Sequence, residues 1–135
     1  AAADYGTDKA IFGYGSTVLA ATSVSMTNLV SNTGVVAADT TGVGTARQLL
    51  AATGYGTDKA IFGYGGYVVY YSMTNLVSNT GVVAADTTGV GTARQLLAAS
   101  VSMTNLVSST GVVASNTTGV GTARSGLAAA GFSYT

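Results

Sequence analysis

Side chains able to move a proton or hold a cation are few. Asp4, Asp8, Asp39, Asp58 and Asp86 are the only acidic side chains, and the 135-residue chain has neither His nor Cys. Without these, no Ser–His or Cys–His nucleophilic pair can form, and neither a thiolate metal site nor a disulfide framework is available. Acid–base work by carboxylates needs two groups in different surroundings. Asp8 and Asp58 sit in the same phrase, GTDKAIFGYG, and Asp39 and Asp86 in the same phrase, GVVAADTTG. Repeated surroundings give repeated properties, so these carboxylates read as structural. Asp39 and Asp86 precede Thr-Thr-Gly and read as turn formers, with a calcium site built with nearby carbonyls as the alternative. No catalytic residue, no cofactor and no metal site is expected.

The remaining candidates are aromatic or cationic. Tyr14 and Tyr64 stand between glycines, while Tyr67, Tyr70 and Tyr71 crowd one short stretch. Tyr offers rigid, amphipathic area and a hydroxyl, which suits recognition of sugars or proteins; packing between strands is the competing reading. Arg47, Arg94 and Arg124 recur in the phrase TAR and are expected to bond carbonyls or an Asp of a neighbouring unit, with ligand contact as the alternative. Lys9 and Lys59 follow Asp8 and Asp58 and read as solvated strand starts that discourage edge pairing. The segments GYGTDK and TGVGTAR have neither the following helix nor the spacing of a phosphate loop.

These residues recur because the chain repeats. SMTNLVSNTGVVAADTTGVGTARQLLAA occupies residues 25–52 and again 72–99, and an edited copy starts at Ser102. GTDKAIFGYG occupies 6–15 and 56–65 and is missing before the third long block. A full unit is about fifty residues, within the range of known structural repeats. The chain reads as one repeat domain over 1–135, with units at about 4–53, 54–100 and 101–135. Variation concentrates after GYG, where STVLAATSV in the first unit is replaced by GYVVYY in the second. Length changes in repeat proteins gather in loops, often on the binding face.

Each unit predicts strands. LLAATGYG, KAIFGYG, VSMTNLV and GVVAADT are short runs of β-branched, aliphatic and aromatic residues divided by Gly, Asn, Ser and Asp. In Asn32-Thr33-Gly34 and Asn79-Thr80-Gly81, the Asn can bond its own backbone and the Gly accepts positive φ. The glycines of TTGVGTAR suit a tight return between strands. ARQLLAA contains helix formers, but it is short and bounded by Gly-Val-Gly and Gly-Tyr-Gly, so strand is preferred. The chain has no Pro, which suits strands paired on both edges.

Four short antiparallel strands per unit is the pattern of a propeller blade. The order Arg, LLAATGYG, DKAIFGYG, a further strand, GVVAADTT and TAR resembles kelch-type blades, with Arg47, Arg94 and Arg124 and the glycines of Gly13-Tyr14-Gly15 and Gly63-Tyr64-Gly65 as the matching features. The Trp of kelch blades has no counterpart here. The wording DKAIFGYG…TNLVSNTGVVAADTTGVGTAR also resembles repetitive proteins of marine bacteriophages. The resemblance spans nearly the whole chain and implies an all-β protein of antiparallel four-stranded blades: a partial kelch-like β-propeller of about three blades, or a propeller-like repeat array. It further implies a virion- or tail-associated role.

Composition narrows the partners. Charged residues are 7% of the chain and the formal net charge is zero, against roughly 25% charged in ordinary domains. So little self-repulsion favours association. Propellers need four to eight blades, and both ends read as cut within the repeat pattern, so either a longer array or pairing between chains is expected to complete it. Five basic residues form no basic patch for nucleic acid, and no apolar run is long enough to span a membrane as a helix. The expected function is a non-catalytic structural or adhesion module of a phage particle (tail- or fibre-associated) or another extracellular assembly. Its partners would be copies of itself, a larger viral particle or a cell-surface glycan, and its location the virion or the extracellular space. A self-assembling filament subunit without a ligand is one alternative, and a glycan-active propeller enzyme is another.

Overall fold

The structure, a computed structural model, describes residues 1–18, 22–95 and 106–116. Among them the fold is all-β, without helix. The strands are β1 (Ala2–Tyr5), β2 (Lys9–Ser16), β3 (Ser23–Val30), β4 (Ala51–Tyr55), β5 (Lys59–Gly63) and β6 (Thr74–Val77). They form two antiparallel sheets of order β1-β2-β3 and β4-β5-β6. Each sheet follows the repeat. Gly6-Thr7-Asp8 joins Tyr5 to its partner Lys9, and Gly56-Thr57-Asp58 joins Tyr55 to Lys59. Both turns rest on a glycine in the left-handed region, Gly6 at φ 60° and Gly56 at φ 61°, which a side chain would strain.

The strands come from β-branched and aromatic residues, and their burial shows where each sheet lies. In β2, Ile11 is buried while Phe12 is 49% exposed, the alternation of a sheet covered on one face. In β5 the equivalent run, Ala60, Ile61 and Phe62, is buried throughout, because the second sheet is covered on both faces. The core of Tyr5, Ile11, Tyr14, Ala60, Phe62 and Val77 lies between the sheets, with Ala3, Leu29, Leu50, Ala52 and Val83 packed against it. The rings of Tyr14 and Phe62 meet at 5.2 Å between centroids, a separation favourable for tilted aromatic pairs. Backbone joins the sheets as well, through Gly6 N–H donating to Asp58 O at 2.7 Å.

Among the described residues the sheets have three strands each. GVVAADT is not a regular strand; single bridges hold it to β3 at Val30↔Val36 and Thr27↔Thr40. Three steps along β3 are matched by four along the partner, so an extra residue breaks the ladder in the manner of a bulge. The side chain of Asn28 fills the break, donating to Ala37 O at 3.2 Å. Asn75 does the same for Ala84 O at 3.0 Å in the second unit, beside the bridge Val77↔Val83. A side-chain amide replaces ladder bonds, and hydrophobic pattern alone does not reveal it.

Two further expectations change. In LLAATGYG the strand begins only at Ala51, because Leu49 has φ 57° and Gln48-Leu49 forms a bend. TTGVGTAR is not a tight return but an extended stretch that wraps its own unit, anchored by Tyr14 Oη donating to Val43 O and by Gly15 N–H donating to Arg47 O. The Asn-Thr-Gly turns exist, but Ser makes them. Ser31 Oγ accepts from Thr33 N–H and Val35 N–H, while Gly34 takes φ 81°. The same bonds recur at Ser78 and Ser108.

Candidate functional site

The most developed polar constellation lies between the first two units and centres on Arg47. Its residue is 1% exposed, so the guanidinium must find partners for its donors. Nε donates to Tyr64 O at 2.8 Å, Nη1 to Thr45 O at 3.0 Å and Nη2 to Asn75 Oδ1 at 2.6 Å. The Asp86 carboxylate lies 3.6 Å from Nη1, and the guanidinium carbon stands 4.6 Å from the centroid of the Tyr14 ring. Asp86 is shared further. Its Oδ2 accepts from Thr45 N–H at 2.8 Å and Thr45 Oγ1 at 2.7 Å, and Asn75 Nδ2 donates to Oδ1 at 2.9 Å. Burial raises the Asp86 pKa and is the largest single influence, but the bonds from Thr45 and Asn75 and the Arg47 charge together outweigh it. The carboxyl is therefore held below its ordinary value.

Strand geometry delivers these groups. Asn75 lies on β6 and is fully buried. Tyr14 lies between Gly13 and Gly15 on β2, opposite a bulge in which Ser25 and Met26 of β3 face this single residue, and its φ of 59° turns the ring inward. Tyr64 repeats the positive φ, at 62°, with its hydroxyl on Val90 O and Arg94 stacked 4.3 Å from its ring centroid. Tyr14 and Tyr64 are 9% and 6% exposed, so neither presents a surface to a ligand. Burial pushes both hydroxyls up in pKa. Asp39 and Asp86 do not sit in turns; Asp39 Oδ1 accepts from Asn28 Nδ2 at 2.7 Å, as Asp86 does from Asn75. In the third unit Asn116 takes this place, donating to Thr92 Oγ1 at 2.7 Å and accepting from Thr92 N–H at 3.3 Å. Arg124 lies outside the described residues.

The other acidic residues stand apart. Asp8 pairs with Lys9 and Asp58 with Lys59, each at 2.9 Å on the surface. The Lys9 bond, then that from Asn32, lowers the Asp8 pKa; the Lys59 bond leads for Asp58. Among the described residues no cluster of three or more candidate metal ligands occurs.

A second feature is exposed. In GYVVYY a bridge between Gly66 and Tyr70 makes a short tip, and Tyr67, Val68, Val69 and Tyr70 are 50%, 86%, 59% and 49% exposed. Tyr71 is half-buried. An open cleft of about 270 Å³ runs beside the tip, lined by Tyr67, Val68 and Tyr71 and by Ser23, Arg47 and Gln48 of the first unit. The five tyrosines grouped by sequence thus divide: Tyr14 and Tyr64 into the core, Tyr67, Tyr70 and Tyr71 to the tip. Asn75, Asn28 and Thr45 were not singled out in the sequence; their only signal was recurrence at fixed positions of the long block.

No family model matches the chain, and no curated protein matches it.

Proposed function

We propose that the chain is a non-catalytic structural repeat module, built from kelch-like blades of a propeller or propeller-like array, whose exposed tips serve adhesion. Its setting, in keeping with the resemblance to phage repeat proteins, is a virion tail or fibre or another extracellular assembly. One observation carries the reading: the best polar cluster, Arg47 with Asp86, Asn75 and Thr45, spends its donors and acceptors on joining one unit to the next. A catalytic group needs a free valence facing substrate, and Arg47 is buried.

The Tyr67–Tyr70 tip is the surface suited to a partner. Rigid tyrosines beside a shallow cleft fit the ring faces and hydroxyls of a glycan. A panel of cell-surface polysaccharides tests both halves. Binding is expected without cleavage, and the double substitution Y67A/Y70A is expected to abolish it while leaving the melting temperature within about 2 °C, since exposed residues contribute little to stability. Turnover of any polysaccharide overturns the non-catalytic reading. Binding that survives the double substitution removes the tip from its role.

A further inference from the structure

The interface between the first two units repeats between the second and third. Gly81 of the second unit is buried with Leu29 Cδ2 and Tyr5 closing on it, at 2.8 Å and 3.0 Å from the position a Cβ would take. Gly111 of the third unit meets Leu76 and Tyr55 at the same distances. Asp86 accepts from Thr45, and Asn116 bonds Thr92. Each unit thus presents one face that receives and another that donates, and the order is always head to tail.

The first unit's receiving face carries the same groups uncovered. Phe12, the counterpart of Phe62, is 49% exposed, whereas Phe62 is 0% exposed. Gly34, the counterpart of Gly81 and Gly111, has nothing within 4 Å of its Cβ position. Asn28 and Asp39 already hold the arrangement of Asn75 and Asp86, with the amide on the carboxylate at 2.7 Å, at an exposed site. The donating series Leu29, Leu76 continues to Leu106, which is 52% exposed. By sequence, the donating phrase Thr45-Ala46-Arg47 recurs as Thr122-Ala123-Arg124.

We propose that this outward face, Phe12 with Asn28, Gly34 and Asp39, is a docking site for a second copy of the chain, which seats Leu106 against it as Leu29 and Leu76 are seated on the units that follow them. The occupant is chosen by complementarity within the structure: the face is a preformed replica of one that the chain already fills with its own residues. The contact is heterologous, so successive additions close a ring or extend a filament. The inference deepens the structural reading above by naming the partner of the repeat.

Sedimentation velocity on the full chain, from low to high micromolar concentration, tests it. The wild type is expected to shift from 13.2 kDa to larger species as concentration rises. Phe12→Lys, blocking the receiving face, and Leu106→Lys, blocking the donating face, are each expected to weaken association more than about tenfold, as loss of a central apolar anchor does. Mixed together, the two variants should form a dimer that cannot grow, because each retains the face the other lacks. Circular dichroism confirms that each variant is folded, and Asp39→Asn, the residue that stands at 116, serves as a second, milder receiving-face variant. A wild type that stays monomeric, association that all three variants retain, or folded variants that fail to dimerise on mixing overturns the proposal. None of these outcomes bears on polysaccharide turnover, so the structural reading stands or falls separately.

Discussion

Arg47 shows how a residue that is costly to bury becomes a fastener. Its charge is compensated by Asp86 and its donors are spent on Tyr64 O, Thr45 O and Asn75 Oδ1. Removing it leaves several buried acceptors without donors, each costing about 1–3 kcal/mol. Arg47→Ala is therefore expected to destabilise the chain by about 3 kcal/mol in urea unfolding. Arg47→Lys keeps the charge but loses the planar fork and the stacking on Tyr14, so it should recover only part of that. A loss for Arg47→Ala below about 0.5 kcal/mol, the range of surface changes, would mean that the units are not joined here. Asp86 adds a pH dependence whose sign is fixed. Its folded pKa lies below the ordinary 3.8, so the folded state binds fewer protons in acid than the unfolded state. Its contribution is fully present above that ordinary value and is lost as pH falls through the folded pKa. Asp86→Asn should flatten the acid limb of the stability–pH curve below about pH 4, where an unperturbed Asp begins to protonate. An unchanged acid limb would show that Asp86 titrates alike in both states.

At the scale of elements, glycine decides how closely the sheets approach. Gly13 is on β2, and a Cβ there would stand 2.8 Å from both Phe62 Cζ and Thr27 Cγ2. Gly13→Ala should therefore cost about 1–3 kcal/mol by overpacking, read from thermal unfolding, whereas Gly34→Ala meets no neighbour and is opposed only by its positive φ. If Gly13→Ala proved the milder change, Phe62 would not be seated on Gly13. These elements were unevenly legible in the sequence. KAIFGYG and SMTNLV announce strands because β-branched and aromatic residues dominate them, and both sheets contain them. GVVAADT has the same composition, yet an extra residue breaks its ladder and the amides of Asn28 and Asn75 bond its carbonyls in place of backbone. The rigid amphipathic rings of Tyr14 and Tyr64 suit recognition as well as packing, and the structure buries both. What turns both rings inward is a positive φ, 59° at Tyr14 and 62° at Tyr64, and φ is not written in residue type. The Arg47 cluster was legible as recurrence but not as geometry, since its hydrogen bonds between the two units span 17 to 41 positions in sequence.

For the whole molecule, the consequence of repetition is that identical residues carry unequal weight according to their place in the stack. Phe12 and Phe62 have the same neighbours in sequence, but one is 49% exposed and the other fully buried. In a linear array each unit is stabilised by its own contacts and by those with adjacent units, so the first unit lacks on one side what the second has on both. Phe62→Ala is expected to lower stability by about 3–5 kcal/mol. Phe12→Ala, measured at a concentration where the chain is monomeric, should lie within about 0.5 kcal/mol of wild type. The gap should then narrow as concentration rises, because docking of a second copy buries Phe12 as the first unit buries Phe62, and mass action adds that stabilisation only to the associated form. Equal losses at low concentration would mean that Phe12 is already covered in the monomer, and that the units follow one another in some order other than head to tail.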